Sequence, residues 1–184
     1  MRVGIAHHFG WAVAVTADES FAVVDRRRIE LVEPGVEAAP VHGLSHSTAV
    51  LDDAAVAALV ARVRASAVRA TSTALDGLPP GIVSMSLRAW PPDFPVDVAV
   101  LRRVPYEARA DSVMYRQVLA DAARERGWQV HLFEARDVES RAVGLVGDAD
   151  FLSRPRERLG PPWGKDHRLA LAATVLAGGY PLTS

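Results

Sequence analysis

Two turns, at His7–Gly10 and Ala17–Ser20, cut the segment from Arg2 to Val32 into three apolar runs, and this constrains the fold more than any other feature. Arg2–Ala6 and Trp11–Thr16 read as short buried strands, with Trp11, Val13 and Val15 on one face of the second and the small Ala12 and Ala14 on the other. Phe21–Val32 reads as a longer strand carrying Arg26–Arg28 in its middle. Three sequential strands with short connections predict an antiparallel meander, so everything downstream has to cover or extend a sheet.

The downstream pattern alternates. After a loop marked by Glu33, Pro34, Gly35, Pro40 and Gly43 and running to about Leu51, Asp52 caps a predicted helix in which Val56, Leu59, Val60, Val63 and Ala67 recur at helical spacing. That helix is expected to stop near Asp76-Gly77. Ile82–Leu87 reads as a fourth strand, followed by a proline-rich loop over residues 88–95 that no regular element can cross. Asp97–Val104 fits either an extra strand or an extended loop. Ala110–Arg126 is a predicted helix ended by Gly127, and Trp128–Phe133 a fifth strand. Asp137 to about Leu145 is a short helix, Gly147–Arg158 reads as polar and irregular, and Lys165–Ala177 is a last helix terminated by Gly178-Gly179. The order β-β-β-α-β-α-β-α-α, without repeat or linker, predicts one α/β domain. Its mixed five-stranded sheet would be an antiparallel meander followed by parallel strands, with helices on both faces.

This order resembles the ribonuclease H-like fold, and two segments sharpen the resemblance. RVGIAHHFGWAVAV is similar to the opening strand-turn-strand of RuvC-type resolvases, G-I-D-x-G followed by G-x-A-V, and KDHRLALAATVLAG is similar to their last helix, D-A-A-D-A-L-A. The resemblance implies a centre in which carboxylates hold two divalent metal ions for phosphodiester cleavage. Residue by residue, however, the first-strand aspartate falls on Ala6. The last-helix acids fall on Asp166 and Leu169, and IVSMSL offers only Ser84 and Ser86 at the fourth strand. The expectation is a ribonuclease H-like protein with a degraded nuclease centre that binds or scaffolds. Nucleic acid and a second copy of the chain are the partners considered, with no membrane.

Composition narrows the chemistry. The 184-residue chain has no cysteine, which excludes a thiolate zinc site and a cysteine nucleophile, and Lys165 is its only lysine. A formal charge of −1 removes the usual argument for a dedicated nucleic-acid binder, although a local patch stays open. No signal-peptide pattern and no apolar run of roughly 18 residues is present, so a cytoplasmic location is expected.

Six histidines are the next candidates. His7 and His8, at the end of the first strand, together with Asp166 and His167 at the start of the last helix, predict a metal site in which imidazole replaces carboxylate, with Asp166 as the acidic catalytic group. Against this, neighbours on a strand face opposite ways, so at most one of His7 and His8 can enter such a site. His42 and His46 are four apart but flanked by Pro40 and Gly43, which favours a solvated loop. GLSHS lacks the second glycine of a nucleophile elbow, and GLVGD lacks the residues of a phosphate loop.

Tyr106, Glu107 and Asp111 near the start of the second long helix either complement its dipole or supply the missing acids from a cleft. Arg26 and Arg28, sharing a strand face, with Arg154, Arg156 and Arg158, either contact phosphates or form a solvated surface. Trp90 and Phe94 read as a stacking platform or a core plug. The alternatives to a binding role are a divergent metal-dependent nuclease or phosphoesterase using His7 or His8 with Asp166, and a small-molecule binder at the sheet-end cleft.

Overall fold

In the computed structural model, which describes residues 1–43 and 51–178, β1 (Arg2–His7), β2 (Trp11–Ala17) and β3 (Val23–Glu30) come first. They are followed by α1 (Asp53–Asp76), β4 (Ser84–Arg88), α2 (Val98–Leu101) and α3 (Glu107–Glu125). β5 (Gln129–Phe133), α4 (Val138–Val146), α5 (Pro155–Leu159) and α6 (Lys165–Gly178) complete the order. His46, the GLSHS run beyond Gly43, and Gly179 lie outside the described residues. The strands form one mixed sheet in the order β3-β2-β1-β4-β5. β2 pairs antiparallel with β1 and β3, whereas β4 pairs parallel with β1 and β5. The expected α/β class, strand count and antiparallel-then-parallel division are observed.

Period-two alternation sorts the sheet into two cores. Val3 and Ile5 of β1 join Ala12, Ala14, Ile29 and Leu31 beneath α1 and α3. Ala6 joins Val13, Val15 and Ala17 on the other face beneath α4 and α6. Helices therefore cover both faces, and β1, the central strand, is buried over Val3–Ala6.

The β1–β2 turn closes because Gly10 takes φ +76°, a conformation that costs a glycine little. A Cβ there would also lie 2.9 Å from the Cβ of Ala38. Leu31 N donates to Gly10 O at 2.8 Å, fastening the chain after β3 to this turn. On the α6 face, Gly4 lets the helix backbone approach so closely that a Cβ on it would lie 1.9 Å from Ala170 O.

Four expected boundaries are corrected. Asp97–Val104 is neither strand nor extended loop, because the Asp97 carboxylate accepts from Ala99 N at 2.9 Å and caps the single turn α2. α3 begins at Glu107 rather than Ala110, so Glu107 and Asp111 lie within the helix. β3 is shorter than Phe21–Val32, since Phe21 adopts φ +64° and leaves the strand path. Within 147–158, Pro155 opens the short helix α5, where proline's fixed φ and missing N–H do no harm.

Candidate functional site

The parallel strands β1, β4 and β5 end together at His7, Arg88 and Phe133, the sheet edge where open α/β folds bind ligands. Alternation sends the two histidines to opposite faces there. His8 turns to α6, where its Nε2 lies 3.0 Å from Asp166 Oδ2 and its ring stacks on Trp11 at 4.1 Å between centroids. The Arg28 guanidinium lies 4.2 Å from the Trp11 ring centroid and pairs with Glu30. His167 turns back on its own helix start: its Nδ1 accepts from Gly164 N at 3.3 Å, and its ring lies 5.3 Å from Trp163. Burial, and after it Arg26, holds the His167 imidazole below its ordinary range.

Of the expected metal set His7, His8 and His167 with Asp166, then, His8 and Asp166 meet and His7 goes elsewhere. Among the described residues no three His, Asp or Glu side chains converge as metal ligands would. Ala6 and Leu169 offer no donor, and Ser84 and Ser86 are buried hydroxyls. This donor set does not fit a two-metal centre.

His7 turns to α3, into positive surroundings. Burial first, then Arg116, His8 and Arg88, push its pKa down to about 3, against a weaker opposing hydrogen bond with the Ser112 main chain. The imidazole is therefore neutral at physiological pH. Arg116, only 4% exposed, donates from Nε to Ser112 O at 2.9 Å, from Nη1 to Ala89 O at 2.6 Å, and from Nη2 to Ser112 Oγ at 3.0 Å. These acceptors are all neutral, and among the described residues no carboxylate pairs with this guanidinium. Burial, with Arg88 and Arg109 adding to it, pulls Arg116 down to about 10, and Glu134 opposes only weakly.

Arg88, Trp90, Arg109, Ser112, Arg116 and Glu134 line one cavity of about 430 Å³. Among the described residues the exposed Arg88 and Arg109 side chains make no hydrogen bond or ion pair. Three guanidinium groups thus share a cleft with a single carboxylate. The signal for two of them is in the sequence, since Arg109, Ser112 and Arg116 recur at i, i+3 and i+7 on one face of α3.

The other candidates are placed differently. Asp111, 2% exposed, accepts from His42 N at 2.8 Å and from Val41 N at 3.2 Å, so its carboxylate clamps the chain after β3 to α3. Burial raises its pKa, against the pull of those two N–H groups. Glu107 is half-buried at the start of α3, on the opposite sheet face from α6, so neither acid joins Asp166. Asp111→Ala leaves two enclosed N–H groups without their acceptor and is expected to lower stability by about 1–2 kcal/mol in urea unfolding. An unchanged midpoint would refute the clamp.

The expected phosphate contacts are occupied elsewhere. Arg26 donates to the carbonyls of Leu159 at 2.7 Å and Gly160 at 2.9 Å, and also to that of Pro162. Arg158 donates to Val23 O at 2.7 Å, and Arg154 pairs with Asp148 at 2.7 Å. Trp90 is half-buried and packs against the α1–α3 core, while Phe94 meets the Tyr106 ring edge-on at 5.8 Å.

No helix among the described residues is long and apolar enough to cross a membrane. The chain matches no family model, no curated protein and no solved structure.

Proposed function

We propose that the chain is a ribonuclease H-like protein that binds phosphate-bearing ligands, nucleic acid among them, at the carboxyl ends of β1, β4 and β5, and does not cleave them by a two-metal mechanism. The sheet order β3-β2-β1-β4-β5, with an antiparallel β2, supports the fold assignment. The observation that carries the binding role is the buried Arg116 guanidinium, bonded only to neutral acceptors and flanked by the uncommitted Arg88 and Arg109. Burial first, and the charges of Arg88 and Arg109 after it, depress the Arg116 pKa, so the charged guanidinium is costly in the free protein and a bound anion offsets that cost. Arginine forks match phosphate oxygens in geometry as well as charge.

Fluorescence anisotropy with labelled single-stranded and duplex oligonucleotides tests the reading. Binding is expected at low salt and should weaken steeply as salt rises. Changing both Arg88 and Arg109 to alanine should flatten the log–log salt slope by about 1.5 to 2. Binding that ignores the double variant, or no binding at low salt, overturns the proposal.

The 3.0 Å contact between His8 and Asp166 favours a second reading, a phosphoesterase working from the α6 side. Magnesium- or manganese-dependent cleavage that disappears in Asp166→Ala would establish that reading in place of the first.

A further inference from the structure

We infer that the arginine cleft between β4 and α3 takes a phosphomonoester dianion, the terminal phosphate of a nucleotide or of a nucleic-acid end, rather than a phosphodiester in the middle of a strand. This rests on the anion-binding reading above and narrows it.

Arg88, Arg109 and Arg116 contribute three positive charges and Glu134 removes one, leaving two, while the adjacent His7 stays neutral. A phosphomonoester carries close to two negative charges at pH 7, whereas a phosphodiester carries about one. A terminal phosphate therefore neutralises the cleft, and an internal one leaves it positive.

A strand lying across the protein takes its phosphates along a basic track. Here three guanidinium groups converge on one cavity, and four of the arginines on β3 and around α5 that could have formed such a track are committed elsewhere. Arg26 and Arg158 hold main-chain carbonyls, and Arg28 and Arg154 hold carboxylates. Trp90 and Pro91 line the same cavity of about 430 Å³, with the Arg116 guanidinium 6.0 Å from the indole centroid. Phosphate beside the guanidinium groups leaves the indole side for the attached sugar or base.

The test compares one labelled oligonucleotide bearing a 5′-phosphate, a 3′-phosphate or only hydroxyl ends, with a free nucleoside 5′-monophosphate as competitor. A phosphorylated end is expected to bind at least about tenfold tighter than the hydroxyl-ended strand, and Arg109→Ala to erase most of that difference. The Arg109 side chain bonds to nothing among the described residues, so the same variant should keep its melting temperature or raise it. Competition by the mononucleotide at matching concentration identifies a free nucleotide as the source, and its absence identifies a polymer end; either supports the inference. Equal binding of phosphorylated and hydroxyl-ended strands overturns the inference and leaves the broader reading standing. If no strand and no mononucleotide binds, both fall together.

Discussion

Gly4→Ala is expected to destabilise the protein by about 3 kcal/mol or more, which for a chain of this size lowers the melting temperature by roughly 6–12 °C. Gly4 lies mid-strand in β1, with Val15 of β2 on one side and Ser86 of β4 on the other, so the strand cannot shift sideways to make room. Its new methyl group would meet Ala170 O at 1.9 Å and Ala170 C at 2.8 Å. Both are main-chain atoms of α6, and no side-chain rotation relieves either contact. The helix would have to lift off β1, opening the core that Ala170–Ala177 fill on that face. Gly144→Ala on α4 is the control: a Cβ there meets nothing within 4 Å, so the helix should gain about 0.5–1 kcal/mol from better propensity. Urea unfolding of both variants measures the contrast, and a Gly4→Ala cost below about 1 kcal/mol would show that the α6 backbone does not press against β1 at Gly4.

Acid should unfold the protein partly through His7. Its imidazole titrates near 6.5 in an unfolded chain and near 3 in the folded one, so between those values the unfolded state binds more protons. Stability from this group is present in full above pH 6.5 and is lost as the pH falls toward 3. One proton taken up on unfolding corresponds to a slope of at most about 1.4 kcal/mol per pH unit; allowing for partial exposure, the loss from pH 6.5 to pH 4 is about 2–3 kcal/mol. Asp111 acts in the opposite sense, because its raised folded pKa means that acid relieves the burial of its charge. The readout is therefore the difference between wild type and His7→Asn, followed by chemical unfolding across that pH range. A parallel pair of curves would place His7 in water rather than against Arg116 and Arg88.

The sheet was legible because its signals are local. Val3 and Ile5 alternate with Gly4 and Ala6, turns fall at His7–Gly10 and Ala17–Ser20, and the apolar spacing in α1 is regular. α2 was not, because one helical turn beside Pro92 and Pro95 contributes too few residues to form a pattern.

The candidate site was legible only in part. Period two alone sends His7 and His8 to opposite faces, but that His8 meets Asp166 depends on where α6 packs. Arg109 and Arg116 share a helix face that spacing reveals. Arg88 joins them only because β4 lies parallel to β1 and α3 crosses behind it, a matter of topology rather than of spacing. The same distance in sequence hid what Arg26 does, since the carbonyls it holds lie more than a hundred positions away.

Those carbonyl contacts also bear on how the protein avoids sticking to itself. β3 is one rim of the sheet, where an unpaired strand edge invites another chain to add on and start an aggregate. Arg26, Arg27 and Arg28 occupy the middle of that rim: the first is laced to the 159–162 segment, the second donates to Gly77 O at 2.6 Å, and the third is held over Trp11. An incoming strand would have to lay its own side chains beside this run of charged guanidinium groups and desolvate them as it gained ladder bonds. The rim is thereby guarded against edge-to-edge growth.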